Sequence, residues 1–154
     1  MKTAHIQPMF NPSTRPKILV VDDQSMHIRI VGDLFKSECD IYMATDGAHA
    51  IAQCQSIVPD LVLLDLSMPG MDGYEVCRRL KADATTQHIP IIFVTSQRDE
   101  ADEALGFELG AADYVTKPFN HTILRARVHN HLQLKHQADR LRSKARFMRT
   151  LMDS

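Results

Sequence analysis

Five short apolar runs, each followed by a stretch with helical character, constrain the fold of this chain more than any other feature. The run at 61–64 is apolar at every position, so both faces of that strand must be covered by other elements. Strands that alternate with helices in this way predict a doubly wound α/β domain, with a five-stranded parallel sheet and helices on both faces. The predicted strands are Lys17 to Val21, Ile41 to Ala44, Asp60 to Leu64, Ile89 to Val94 and Ala112 to Thr116.

Residues that begin or interrupt helices fall between the predicted elements. A Ser or Asp side chain can accept a backbone N–H at a helix start, whereas Pro and Gly break regular structure. The predicted caps are Ser25 and Asp46, and the predicted breaks are Pro69-Gly70, Pro90 and Gly110.

The two ends of the chain differ from the central domain. Residues 1–16 contain three prolines and predict a flexible N-terminal segment, ahead of a domain at 17–130. From Asn120 to Met152 there is no Pro or Gly, which permits one continuous helix of about 45 Å. Its extension at 131–154 is interpreted as a weak coiled coil or as a helix that docks on a further domain. The heptad positions are His131, Ala138, Ala145 and Met152, with Leu134, Leu141 and Met148.

The 154-residue length and ordinary composition favour one globular domain with an appendage. The three cysteines are scattered without metal-ligand spacing, so neither a disulfide framework nor a zinc site is indicated. No run approaches the roughly 20 apolar residues of a membrane span, and the N-terminus lacks a secretory pattern. We therefore expect a cytoplasmic protein that does not contact a membrane.

Charge is distributed unevenly along the chain. Of the 18 Lys/Arg and 19 Asp/Glu, eight and two respectively fall in residues 121–154, so this part is near +6 and the rest near −7. A solvated basic face is the simplest interpretation. A nucleic-acid-binding module is the alternative, but the basic segment has only Phe147 for stacking and no recognised reading motif.

Four of the five predicted strands, the second being the exception, are followed by polar side chains that could form one site. Because the carboxyl ends of parallel strands meet at one edge of the sheet, where ligands bind in open α/β folds, these groups should converge. Taken singly, the acids or the threonine could be helix caps and the lysine a surface residue. Their order and placement together indicate a functional site. They are Asp22 and Asp23, then Asp65, then Thr95 and Ser96, and finally Lys117.

Three carboxylates held together repel one another unless a cation lies among them. Oxygen ligands suit Mg²⁺, which keeps several of its waters and is often bound by protein carboxylates together with a phosphate oxygen. Lys117 would add a positive charge, and Thr95 a hydroxyl donor, where the oxygens of a transferred phosphoryl group would lie.

Four segments at these strand ends resemble the motifs of response-regulator receiver domains, over about residues 17–130. The resemblance implies a flavodoxin-like strand order of 2-1-3-4-5. It also implies a phosphoacceptor in two-component signalling, phosphorylated by a histidine kinase or phosphotransfer protein. The segments are Ile18 to Asp23, Leu63 to Gly73, Val94 to Ser96 and Tyr114 to Phe119.

The resemblance also assigns roles to individual residues. It implies that Asp65 accepts the phosphoryl group and ligates Mg²⁺ with Asp23, while Asp22 holds the ion through water. The backbone carbonyl of Ser67 would be a further ligand.

Other roles concern switching. The resemblance implies that Thr95 moves towards the phosphoryl group and that Tyr114 then rotates inward. Lys117 would pair with phosphoryl oxygens, and the bond to Pro118 would be cis. The change would reach the face formed by helix 4, strand 5 and helix 5, and the C-terminal helix, to control dimerisation or an output domain.

The sequence does not determine which output domain or partner this domain would control. Leu132 to Lys135 resembles linkers that lead to cyclic-di-GMP synthesis or breakdown domains, which favours part of a longer regulator whose absent output domain could be an enzyme. A stand-alone receiver and a constitutive dimerisation module are the alternatives. The domain itself is expected to catalyse only its own phosphorylation and slow dephosphorylation.

Two further classes are less well supported. A haloacid-dehalogenase-like phosphatase also forms an aspartyl phosphate, but it needs a second Asp two positions after the nucleophile, where this chain has Ser67. A metal site built on the C-terminal histidines lacks Cys or Glu-x-x-His companions, so surface or seam histidines are favoured. Those histidines are His121, His129, His131 and His136.

Overall fold

The computed structural model describes residues 15–96 and 100–154, without the side chains at 100 and 101. Within these ranges strands and helices alternate strictly, as the apolar runs predict. The strands are β1 (Lys17–Val21), β2 (Asp40–Ala44), β3 (Leu61–Leu64), β4 (Ile91–Thr95) and β5 (Asp113–Thr116). The helices are α1 (Ser25–Phe35), α2 (Gly47–Ile57), α3 (Gly73–Ala82), α4 (Glu100–Glu108) and α5 (His121–Met152).

The strands form one parallel sheet in the order β2-β1-β3-β4-β5, which confirms the expected strand order. β1 and β3 end side by side, because Val21 is opposite Leu64. β4 and β5 also end side by side, because Thr95 is opposite Thr116. The ends of the strands that carry the predicted polar residues therefore lie along one edge of the sheet.

The fourth strand begins two residues later than predicted. Pro90 has no N–H to give to the ladder, and its carbonyl accepts the N–H of Val62 at 3.0 Å. The N–H of Ile89 donates to Thr86 O at 3.1 Å, so this residue belongs to the preceding turn. β4 accordingly starts at Ile91.

Each face of the sheet buries its own apolar cluster, because successive strand residues point to opposite sides. In β1, Leu19 and Val21 face one cluster and Ile18 and Val20 the other. Helices α2 and α3 cover the first cluster with Ala50, Cys54, Val76, Cys77 and Leu80. Helices α1 and α5 cover the second with Ile28, Val31, Phe35, Leu124, Val128 and Leu132.

The helix starts agree with the predicted caps in one case and differ in the other. Asp46 caps α2 by accepting the N–H of His49 at 2.8 Å, as predicted. The prediction for Ser25 is wrong, since Ser25 is the first residue of α1 and no side chain caps that helix. The carboxylate of Asp22 instead accepts the N–H of Gln24 at 2.9 Å and shapes the turn into α1.

Helix α5 is anchored at its N-terminal third and then leaves the domain. Its last buried residue is Leu132, and Leu134 and Leu141 are exposed. His131, the first predicted seam position, contacts Asp113 of β5 instead, with Nε2 and Oδ2 3.0 Å apart. The apolar seam that remains exposed therefore begins at Leu134. Among the described residues, no helix is both long and apolar enough to cross a membrane.

The cysteine thiols are expected to be inert in the folded protein. All three are free and buried, and burial raises the pKa of Cys39 and Cys54 to about 12 and that of Cys77 to about 11. Because only the thiolate reacts, native protein at pH 8 should give no thiol signal with an aromatic disulfide reagent within an hour. Protein unfolded in guanidinium should give three equivalents. Rapid labelling of native protein would contradict the buried placement.

Candidate functional site

The three predicted acids meet at the carboxyl edge of the sheet. The N–H of Asp22 donates to Ala44 O at 3.1 Å, and that of Asp65 donates to Val21 O at 2.9 Å, so both residues continue the strand pairing beyond β1 and β3. Asp23 follows directly and is exposed. Carboxylate oxygens of Asp22, Asp23 and Asp65 all lie within 4.8 Å of one another. This is the convergence that the strand-end pattern predicted.

Lys117 brings a positive charge to this cluster from the end of β5. Its backbone N–H donates to Thr95 O at 2.7 Å, which fixes the residue beside the end of β4. Its Nζ lies 2.7 Å from Asp22 Oδ2 and 3.6 Å from Asp65 Oδ2. The ammonium group therefore bonds to Asp22 and remains within electrostatic reach of Asp65.

The pKa of Asp65 is raised above its ordinary value. Burial is the main cause, and the negative charges of Asp22 and Asp23 add to it. The N–H of Ser67, which donates to Asp65 Oδ1 at 3.1 Å, and the charge of Lys117 act in the opposite direction. One ammonium group thus leaves the carboxylates under-compensated, and a hard divalent cation fits this oxygen donor set.

Gly73 fixes the loop that carries Asp65 against the start of α3. A Cβ added at Gly73 would lie 2.5 Å from Asp65 O and 2.9 Å from Leu66 Cα. The N–H of Gly73 also donates to Leu66 O at 3.1 Å. Such a close approach requires glycine. The role of Gly73 was not predicted from the sequence, because a glycine in a turn does not reveal which backbone approaches it.

The two predicted switch residues are both buried. Thr95 is fully buried at the end of β4, and Tyr114 is 7% exposed. The ring of Tyr114 makes an edge contact with Phe93 at a centroid distance of 6.3 Å, so it already lies inward in this structure. The peptide bond between Lys117 and Pro118 is cis.

A cavity of about 470 Å³ opens beside the acidic cluster. Asp65 and Lys117 line it together with the apolar side chains of Ile30 and Phe119. Ser67 and Ser96, both exposed, are among its polar lining residues. Asp65, although buried, therefore borders a cavity that is open to solvent.

His27 also lines this cavity, and the sequence reasoning missed it. Its Nδ1 lies 3.1 Å from Asp22 Oδ2 and 2.9 Å from Lys117 Nζ. The one available signal was its place in the first turn of α1, four residues after Asp23, but this position does not show which way the side chain points.

Together, the parallel sheet and the acid–lysine cluster at its carboxyl edge define an α/β domain whose site suits a divalent cation beside a buried carboxylate. The family model for the response regulator receiver domain matches residues 18–129. The chain belongs to this family, as the motif resemblance predicted.

Similar proteins include two regulators. The chain is 41% identical over 129 residues to the response regulator PleD of Caulobacter vibrioides, covering 83% of this chain and 28% of the relative. It is 42% identical over 133 residues to a probable cyclic di-GMP phosphodiesterase of Vibrio cholerae, covering 86% of this chain and 30% of the relative. The chain thus spans less than a third of the length of these curated relatives.

Solved structures of other receivers share the fold. The BeF3-activated DrrB receiver domain superposes with a TM-score of 0.71 at 34% identity, covering 78% of this chain and 99% of that one. The Vibrio cholerae chemotaxis protein CheY4 gives a TM-score of 0.72 at 25% identity, covering 76% and 98%.

Proposed function

We propose that Asp65 is the phosphoacceptor of this receiver domain and takes its phosphoryl group from a histidine kinase or a phosphotransfer protein. The observation that carries the proposal is the buried Asp65 carboxylate, which lies within 4.8 Å of two further carboxylates and 3.6 Å from the Lys117 ammonium group. This arrangement holds the nucleophile beside the charges that phosphoryl transfer requires.

The chemistry is an in-line displacement at phosphorus. A carboxylate oxygen of Asp65 forms the new P–O bond while the P–N bond to the donor histidine breaks, and the imidazole leaves with the electron pair. Bound Mg²⁺ would neutralise phosphoryl charge, held by Asp23, Asp65 and the Ser67 carbonyl, with Asp22 acting through water. Lys117 would pair with a phosphoryl oxygen.

The switch involves Thr95 and Tyr114. A phosphoryl group adds nearly two negative charges and three acceptors, so the Thr95 hydroxyl can turn towards it. The contact between Tyr114 and Phe93 connects β5 to β4, and both rings lie next to Gly106 of α4. We expect a phosphoryl group to bias an equilibrium between inward and outward positions of the Tyr114 ring rather than to create a new state.

The proposed readout is the surface formed by α4, β5 and α5, which would pair with the same surface of a second copy. Leu105 and Phe107 of α4 and Ile123 of α5 are exposed apolar residues in these elements. The domain at 17–130 would act through its helical extension at 131–154, where a coiled coil is one route.

An output domain beyond residue 154 is the favoured arrangement, because the similar regulators of Caulobacter vibrioides and Vibrio cholerae are about three times as long. A cyclic-di-GMP enzyme is the proposed output, and a stand-alone receiver is the alternative. In either case we propose that the receiver works in the cytoplasm and that its own chemistry is limited to gaining and slowly losing one phosphoryl group.

Intact-mass analysis tests the phosphoacceptor. Wild type incubated with acetyl phosphate and Mg²⁺ should gain about 80 Da, corresponding to one phosphoryl group. Removal of Mg²⁺ with a chelator should abolish the gain. No adduct under any condition would contradict the proposal and would favour a constitutive helical dimerisation module.

Light scattering tests the proposed pairing surface. Beryllofluoride with Mg²⁺ should shift wild type from 17.4 kDa to about twice that mass. Leu105→Glu should remain monomeric and still be phosphorylated, because it places a charge in the apolar surface. Met43→Glu, at an exposed position of β2 on the far edge of the sheet, is the matched control and should dimerise. Equal dimerisation of both variants would exclude the α4-β5-α5 surface.

A further inference from the structure

We propose that His27 is a positioning residue for the phosphoryl chemistry, whose Nδ1 accepts a hydrogen bond from Lys117 and holds the ammonium group beside Asp65. The inference rests on the function proposed above and adds a residue to it. His27 reaches the site from α1, and its side chain is 31% exposed. It therefore borders both the acidic cluster and the cavity through which a phosphodonor arrives.

Three polar atoms form a compact triangle at this position. Lys117 Nζ lies 2.7 Å from Asp22 Oδ2 and 2.9 Å from His27 Nδ1, and the last two atoms are 3.1 Å apart. An ammonium group has three donors and no acceptor, so the short contact with His27 requires an unprotonated Nδ1. Lys117 then donates to both neighbours at once.

The other tautomer satisfies the triangle less well. A hydrogen on His27 Nδ1 could be donated to Asp22, but it would also lie against the hydrogens of the Lys117 ammonium group. Asp22 Oδ2 already accepts from Lys117 at the shorter distance of 2.7 Å. We therefore assign the imidazole proton to Nε2.

The consequence concerns the freedom of Lys117. A lysine side chain has a flexible four-carbon stem, and a single acceptor leaves its end group mobile. Two acceptors on the α1 side fix Nζ at 3.6 Å from Asp65 Oδ2. At that distance the cation is near the nucleophile without bonding to the oxygen that must attack. Asp22 is also a proposed metal ligand, so His27 is the partner of Lys117 without a competing demand.

Two substitutions separate hydrogen bonding from shape. His27→Asn places Oδ1 the same number of bonds from Cα as Nδ1, so the acceptor is retained. His27→Leu places a methyl group there and removes it. At saturating acetyl phosphate and Mg²⁺, we expect His27→Leu to be phosphorylated roughly tenfold more slowly than wild type, because Lys117 is no longer held in place. His27→Asn should remain within about twofold of wild type.

A second readout uses the metal-free, unphosphorylated protein. Nitrogen-15 NMR of the His27 ring should give the shift of an unprotonated Nδ1. The Lys117 ammonium protons should exchange slowly in wild type and His27→Asn, and faster in His27→Leu. Thermal unfolding of all three proteins serves as the folding control, and similar midpoints are expected for a partly exposed side chain.

The outcomes distinguish this inference from the function on which it rests. Equal phosphorylation rates for wild type and His27→Leu would overturn it. Equal slowing of both variants would also overturn it, since ring shape and not the acceptor would then matter. A nitrogen-15 shift that shows a protonated His27 Nδ1 would overturn it as well. Absence of any wild-type adduct would instead overturn the proposed function, while the NMR readouts would still decide how Lys117 is held.

Discussion

Asp65→Asn is expected to abolish the phosphoryl adduct completely. The variant keeps the size and one oxygen of the side chain, but an amide is not a nucleophile towards phosphorus at neutral pH. Intact mass after acetyl phosphate and Mg²⁺ should therefore show the gain of about 80 Da in wild type only. Asp23→Asn is the control, because it weakens the cation site and should slow the reaction while leaving the nucleophile in place.

The same substitution should stabilise the metal-free protein at pH 7. The pKa of Asp65 is raised in the folded state, mainly by burial and then by Asp22 and Asp23, so ionised Asp65 disfavours folding. This penalty is absent at a pH below the pKa that Asp65 has in the unfolded state. It grows as the pH rises from there through the pKa of the folded state. We expect the free energy of unfolding of Asp65→Asn to exceed that of wild type by on the order of 1 kcal/mol at pH 7.

Urea unfolding at pH 7 and near pH 3.5 measures this difference. The free energies of unfolding of the two proteins should approach each other at the lower pH, where Asp65 is mostly protonated in both states. Added Mg²⁺ should stabilise wild type more than the variant, since a ligand of the folded state raises its stability. Lower stability of Asp65→Asn at both pH values would show that Asp65 serves the fold and not a charged site.

Gly73→Ala is expected to have the second large effect, a loss of about 3 kcal/mol or more in the free energy of unfolding. The added Cβ would meet Asp65 O at 2.5 Å and Leu66 Cα at 2.9 Å. Both are backbone atoms, so the clash can be relieved only by moving α3 or the loop that carries Asp65. Phosphorylation should slow sharply as well, because the nucleophile moves with that loop.

Gly32→Ala is the matched control for this prediction. Gly32 lies inside α1, and an added Cβ would have its nearest contact at 3.7 Å, from a side-chain carbon of Ile41. Alanine at a helical position with room for Cβ should stabilise by about 0.5 to 1 kcal/mol. Denaturant unfolding of both variants gives the comparison. Similar stabilities for the two would mean that the approach of Gly73 to the Asp65 backbone is looser than described.

The fold and the meeting of Asp22, Asp23, Asp65 and Lys117 followed from the sequence for a simple physical reason. Apolar runs that alternate with helices can bury both faces only as a parallel sheet between helices, and parallel strands end at a common edge. Residues directly after the strands, such as Asp22, Asp65 and Lys117, are therefore placed by the backbone alone. Once the strand order is set, the neighbours of these side chains are largely determined.

The tertiary structure decided the contacts that depend on helix orientation and on close backbone approach. Nothing local to His27 shows that α1 turns it towards Lys117, and nothing around Gly73 shows that Asp65 O lies where a Cβ would be. The pairing of His131 with Asp113 likewise depends on how α5 packs. Sequence pattern determined which edge of the sheet carries the chemistry, because strand period and topology are properties of the backbone. Packing determined which side chains from other elements reach that edge, because those contacts form only when distant segments meet.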